Sequence, residues 1–271
     1  MEEEINEKQG EMIIFISSKG GVGKTVVAVN VAAALASKGC STCILDGSFQ
    51  FGDVNLALDI QPRLTISDLV QKEEDLEGAK ISNYLFTHNC GLKVLSAPQK
   101  PELADLVTAK MIPDICKNLL EEFKYVVVDL PTGISDINLN FIEMADYIFV
   151  VTDLELSALK NTKTLVKTLR KLEMGDKIKI IVNRSNSETI LTKASQVPDM
   201  LETNEVQYVA EDYKVVSKSL NIGIPFVISK RKDKITEDVL AITKKFDSET
   251  SYFKRRSNTR KKRGMLGFLS R

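Results

Sequence analysis

Ser18-Lys19-Gly20-Gly21-Val22-Gly23-Lys24-Thr25 joins an apolar run, Met12–Ile16, to an Ala/Val-rich stretch, Val26–Leu35. The run reads as a buried strand and the stretch as a helix. A glycine-rich turn between them exposes successive backbone N–H groups at the positive end of that helix, which makes a cradle for phosphate. The cradle is expected to run from Lys19 through Gly20, Gly21, Val22, Gly23, Lys24 and Thr25 to Val26. In such a loop Lys24 reaches the β- and γ-phosphates and the Thr25 hydroxyl ligates Mg²⁺. The usual pattern opens with glycine where this chain has Ser18. Lys19 is the unusual element, a second cation beside phosphates that Lys24 already serves.

Outward from the loop the chain alternates. Strand-like runs fall at Met12–Ser17, Thr42–Leu45, Leu92–Leu95, Tyr125–Leu130, Tyr147–Thr152, Ile178–Asn183 and Gln207–Ala210. Helical stretches fall near 25–38, 101–121, 137–144, 156–173, 189–202, 212–221 and 233–247. Several strand runs are unbroken Val/Ile/Leu, as parallel strands covered on both faces require. The pattern predicts an α/β fold, a three-layer αβα sandwich of the P-loop NTPase type around a mostly parallel central sheet. No Pro/Ser-rich linker or internal repeat divides it. We expect an acidic flexible N-terminus over 1–11, one domain over 12–250 and a basic tail over 251–271.

Ligands of such sheets gather at the carboxyl ends of the strands. Asp46 ends the second run and Asp129 the fourth, in Val-Val-Val-Asp-Leu-Pro-Thr-Gly. An acid there, beside a phosphate loop, typically holds Mg²⁺ through water. The expected metal set is therefore Thr25, Asp46 and Asp129. Lys19, Lys24, Asp46 and Asp129 are the catalytic candidates. Asn183 and Arg184 end a later run, where an amide can read the adenine edge; Glu211 lies on the same side.

Composition narrows the setting. No apolar run reaches the roughly 18–20 residues of a membrane span, and the acidic start, Met1–Glu11, is no signal peptide. Four cysteines, at 40, 43, 90 and 116, suit a cytosolic chain. Cys40 and Cys43 have C-x-x-C spacing, but no second pair follows, and Cys43 opens an apolar strand. His88, the single histidine, reads as a loop residue near Cys90. The formal net charge is zero, yet Lys254–Arg271 holds eight basic residues and no acidic one. The remaining 29 basic residues therefore face all 37 acidic ones. An acidic body carries a basic tail.

Lys-Gly-Gly-Val-Gly-Lys-Thr with its extra lysine resembles the deviant Walker A motif of the MinD/ParA ATPases. The resemblance spans nearly the whole chain. It includes Val126–Pro131, Val182-Asn183-Arg184 and Glu211–Pro225. Within that family, Phe-Gln-Phe-Gly-Asp-Val-Asn-Leu-Ala-Leu-Asp at 49–59 looks most like the CpaE/TadZ branch, as does the pairing of Ala97-Pro98 with Pro101-Glu102. That branch localises and helps assemble type IVb (Flp/Tad) pili. Many of its members carry an N-terminal receiver-like domain, for which residues 1–11 offer no counterpart.

The resemblance implies an ATP-dependent homodimer with Mg²⁺, in which Lys19 crosses to the nucleotide of the other subunit. A cation supplied in trans would stabilise charge on the transferring phosphoryl group. One departure stands out. The family usually shows Asp-x-Asp after the second strand, whereas this chain has Asp46-Gly47-Ser48. A hydroxyl holds a water but is a poor base, so we expect hydrolysis to be slow; Asp53 lies further along the same loop. A second departure is Ala210, where relatives often have proline.

In the tail, Met265, Leu266, Phe268 and Leu269 fall on one face of a helix at offsets 0, 1, 3 and 4. The basic cluster before them contributes about 1 kcal/mol per charge at an anionic leaflet. This looks like the C-terminal membrane-targeting helix of MinD. Gly264 and Gly267 each cost a free helix about 1 kcal/mol, so it would form at the membrane. A disordered basic tail and nucleic-acid binding are the competing readings, and the apolar end suits lipid better than phosphate. The expected setting is the cytoplasm, peripherally at the inner face of the cell membrane. The expected partners are an anionic lipid surface and pilus-assembly or other positioning proteins. A septum-positioning ATPase and a non-hydrolysing ATP-bound scaffold are the alternatives.

Overall fold

Alternate residues of each apolar run face opposite ways, and here both faces are dry. Met12, Ile14 and Ile16 join one core with Val126, Val128, Ile148 and Val150. Ile13 and Phe15 join a second core with Val127, Phe149 and Val151. A strand buried on both faces needs helices on both sides, and the sequence between the strands provides them.

The structure is a computed structural model that describes residues 10–246 except 74, 77, 187–192, 230–231 and 245. In chain order the elements are β1 (Glu11–Ser17), α1 (Lys24–Ser37), β2 (Thr42–Asp46), α2 (Val54–Ala57), α3 (Ile66–Lys72), β3 (Phe86–Thr87) and β4 (Lys93–Leu95). There follow α4 (Ile112–Glu122), β5 (Tyr125–Asp129), α5 (Asp136–Met144), β6 (Tyr147–Thr152), α6 (Leu156–Lys171) and β7 (Ile178–Val182). The chain continues through α7 (Val197–Leu201), β8 (Val206–Tyr208) and α8 (Tyr213–Ile222) to a helix, α9, over 234–244. The sheet has eight strands in the order β3-β4-β2-β5-β1-β6-β7-β8. All pairings are parallel except that of β3 with β4 at one edge. This is the predicted αβα architecture.

β1 is central, paired with β5 on one side and β6 on the other. Helix α1 follows it across the second core and is buried along most of its circumference, from Lys24 to Leu35, as its Ala/Val composition requires. α9 packs on the same face through Ile235, Val239 and Ile242. Phe246 closes the amino-terminal end of the strands, edge-on to Tyr147 and Phe149.

The predicted boundaries shift where local chemistry intervenes. The stretch 101–121 is not one helix: 3₁₀ turns at Pro101–Leu106 and Ala109–Met111 precede α4. Thr108 between them is extended, and Pro113 enters α4 in its first turn, where proline is tolerated. Of the helix predicted over 189–202, the described part is a 3₁₀ turn at Ala194–Gln196 and α7. The strand predicted at Gln207–Ala210 is Val206–Tyr208. Helices α2 and α3 and strand β3 are too short to announce themselves by period. Residues 1–9 and the tail with Met265, Leu266, Phe268 and Leu269 lie outside the described residues.

Phe149 is buried and stacks on Phe15 at 5.1 Å between ring centroids. Phe149→Ala should destabilise the fold by about 3–5 kcal/mol. Tyr213→Ala, at a side chain 79% exposed, should cost less than about 0.5 kcal/mol. Equilibrium urea unfolding of both variants checks the contrast.

Candidate active site

The loop after β1 opens at the carboxyl end of the sheet, where β2, β5 and β6 also end. Gly23 takes a left-handed φ of 85°, and a Cβ there would lie 2.3 Å from Asn183 Nδ2. Only glycine fits that place. The Asn183 amide donates to the Val22 carbonyl at 2.8 Å, which ties the end of β7 to the loop. Ser18 is held from outside, its hydroxyl 3.0 Å from that of Thr162 on α6.

Beneath the loop the side chains converge on one carboxylate. Lys24 Nζ donates to Asp129 Oδ1 at 2.5 Å and Thr25 Oγ1 donates to Oδ2 at 2.6 Å. Asp129 is fully buried, and burial raises its pKa against the lowering effect of Lys24. The sheet register places Asp46 directly beside it. Asp46 is pushed up to about 7, first by burial and then by the charge of Asp129. Its two oxygens accept the backbone N–H of Ser48 at 3.0 Å and of Val54 at 3.1 Å, so Asp46 clamps both ends of the loop between β2 and α2. Gly52 presses against that clamp, where a Cβ would meet Asp46 Oδ2 at 2.4 Å and Ala97 Cβ at 2.7 Å.

A cavity of about 960 Å³ opens above these groups. Its walls include Gly20 to Val26 on one side, Ser48, Phe51, Asp53 and Leu56 on a second, and Pro131, Thr132, Ser135 and Asn138 on a third. A smaller cleft of about 130 Å³ adjoins the loop at Gly23 and Val26 and is lined by Asn183, Arg184, Glu211 and Tyr213. The loop residues and the three adenine-side candidates therefore stand around two adjoining spaces.

Lys19 is elsewhere. It is absent from the cavity wall; its ammonium donates to the Glu155 carboxylate and, at 3.2 Å, to the Ser157 hydroxyl at the start of α6. That bond is the main cause of the raised Lys19 pKa and of the lowered Glu155 pKa. The pair is exposed. Sequence reasoning did not find Glu155, Ser157 or Thr162. The available signal was position: Glu155 follows β6, whose carboxyl end must lie beside that of β1.

The donor set fits a hard divalent cation. Thr25, Asp129 and Asp46 offer only oxygen, and two adjacent buried carboxylates repel each other until a cation joins them. Among the described residues no group of three or more His, Cys, Asp or Glu is placed to hold a metal by itself. Cys43 is buried, its thiol pushed up to about 12 by burial. His88 is also buried, with Nδ1 3.0 Å from Cys90 Sγ and Nε2 3.1 Å from the Gly223 carbonyl.

The raised pKa of Asp46 means that the fold prefers its protonated form. The stability it confers is complete below its ordinary value of 3.8 and is lost as pH rises through about 7. Without nucleotide and metal, the thermal midpoint should therefore fall between about pH 5 and pH 8. Asp46→Asn should flatten that slope, while lowering the midpoint at pH 5 because one clamped N–H loses its acceptor. Thermal unfolding across pH checks both.

Known proteins share this fold. The ParA family model, described as "NUBPL iron-transfer P-loop NTPase", matches residues 8–256. The septum site-determining protein MinD of Synechocystis sp. is 29% identical over 226 residues, spanning 81% of this chain and 83% of that protein. Among solved structures, a ParA family ATPase from Chlorobium tepidum superposes with a TM-score of 0.80 at 19% identity, covering 87% of this chain and 98% of that one. MinD from Pyrococcus horikoshii, complexed with Mg-ADP, gives 0.77 at 22% identity, covering 89% and 97%. At these identities the two structures share the fold.

Proposed function

The chain belongs to the ParA family of P-loop NTPases, and on that premise we propose that it is an ATP-dependent dimerisation switch acting at a membrane surface. One observation carries the reading. Lys24 and Thr25 converge on Asp129 beneath a loop of backbone N–H groups that opens into a 960 Å³ cavity. That arrangement is suited to a nucleoside triphosphate. Lys24 leaves Asp129 for the β- and γ-phosphates, the loop N–H groups hold their oxygens, and the purine enters the cleft beside Asn183, Arg184 and Glu211. Thr25 and Asp129, with Asp46 behind them, would hold Mg²⁺, which would neutralise charge on the β- and γ-phosphates. The MinD of Pyrococcus horikoshii, complexed with Mg-ADP, supports that ligand choice.

Lys19 supplies the second half of the proposal. In a single chain it is engaged by Glu155 and Ser157 and lies off the cavity wall. Its service is to a second copy, where the γ-phosphate draws it across the interface. The motif in this role is a deviant Walker A. Two tails brought together by such a dimer bind lipid with avidity that one tail lacks, which ties nucleotide state to membrane residence. The proposed organisation is an ATPase domain over 12–250 between an acidic N-terminus and the basic tail. The sequence at 49–59 favours a CpaE/TadZ-like role in placing type IVb/Tad pilus machinery. The likeness to MinD of Synechocystis favours septum positioning as the second reading.

Two measurements test this. A fluorescent ATP analogue should bind the full chain with Mg²⁺, and Lys24→Ala should weaken it at least about 10-fold, since hydrogen bonds to charged groups contribute about 1.5–3 kcal/mol. Equal affinity in both proteins would contradict the site. Deleting residues 260–271 should abolish ATP-dependent sedimentation with vesicles containing anionic lipid; retained sedimentation would remove the tail from the account.

A further inference from the structure

Ser48 leaves the site without the second acid that the family resemblance leads one to expect, and the structure brings another carboxylate to the same wall. Asp53 lines the cavity with Lys24, Thr25 and Ser48. It sits at the N-cap of α2 yet forms no side-chain cap. The Val54 N–H that begins the helix is taken by Asp46 Oδ2. The Asp53 carboxylate, which a capping role would turn to the N–H of Asn55 or Leu56, is left unengaged.

Its carboxylate is exposed and, among the described residues, has no hydrogen-bond or ion-pair partner. It is also near the chemistry, because its charge contributes to the raised pKa of Asp129, the residue that holds Lys24 and Thr25. The clamp of Asp46 on Ser48 and Val54, with Gly52 packed between Asp46 and Ala97, fixes the loop that presents it. A free carboxylate on a clamped loop, lining the same cavity as the phosphate-binding loop, is matched to a water that must lose a proton.

We infer that Asp53 orients and deprotonates the attacking water in ATP hydrolysis, the task that the neutral Ser48 hydroxyl performs poorly. This rests on the reading of the site as an ATPase. The water oxygen bonds to the γ-phosphorus as the bond from that phosphorus to the β–γ bridging oxygen breaks. Asp53 takes the water proton and releases it to solvent, and ADP and inorganic phosphate leave. Asp105 also lines the cavity, but nothing ties its charge to Asp129.

The test uses the full chain with Mg²⁺ and measures single-turnover hydrolysis of radiolabelled ATP beside the affinity for a fluorescent ATP analogue. Asp53→Asn should slow hydrolysis about 100-fold, the lower end of general-base effects, while the affinity stays within about threefold. Ser48→Asp in the Asp53→Asn background should recover at least about tenfold, because it returns a carboxylate to the same wall. The inference is overturned if Asp53→Asn hydrolyses ATP at the natural rate, if affinity falls in step with rate, or if Asp105→Asn carries the loss instead. A natural chain that neither binds nor hydrolyses ATP would overturn the ATPase reading itself, a result distinct from all three.

Discussion

The buried carboxylate of Asp129 governs the site. It ends β5, whose Asp129 is in register with Phe15 of β1 and Asp46 of β2, so its position is set by the sheet and not by a loop. A carboxylate with no solvent contact requires a cation or several donors, and Lys24 and Thr25 provide both. The same pairing presets the loop. With Lys24 and Thr25 drawn down at the start of α1, the loop from Gly20 to Gly23 lines the cavity above them. In the proposed role, phosphate would compete for Lys24 and a divalent cation for Asp129. The resting geometry is thus one that ATP and Mg²⁺ would take apart.

Asp46 is coupled to this arrangement through charge, and the loop between β2 and α2 through Asp46. Mutual repulsion with Asp129 helps to hold Asp46 near pKa 7, while its oxygens fasten Ser48 and Val54. A change in charge at the proposed metal position would therefore reach the loop that carries Phe51 and Asp53 and the helix that carries Leu56. Phe51 and Leu56 are 77% and 72% exposed, which is unusual for apolar side chains at a cavity mouth. In the dimer proposed above they would lie where a second copy approaches.

Much of this was legible in the sequence. The strands β1, β5, β6 and β7 follow from Val/Ile runs, and the loop from its glycines and lysines, because burial on both faces and phosphate binding each demand a local residue pattern. Asp46 and Asp129 were legible as acids at strand ends. What was not legible depends on contacts between distant residues. The partnership of Lys19 with Glu155 spans 136 positions, and the clamp on the loop between β2 and α2 needs Ala97 beside Gly52. The 101–121 stretch misled because its helical composition is overridden by the extended Thr108 and the prolines at 101 and 113. The short α2 could not be seen, and with it the uncapped carboxylate of Asp53.

Lys19 joins the two halves of the account. In one chain it is turned onto α6, and in a pair it would complete the site of the other. Sedimentation velocity of the full chain with Mg²⁺ and ATP, against ADP, tests this directly. The account predicts that ATP doubles the mass of the natural chain, that ADP does not, and that Lys19→Ala remains monomeric with ATP bound. A natural chain that stays monomeric when saturated with ATP, or a Lys19→Ala chain that dimerises as readily, would contradict it.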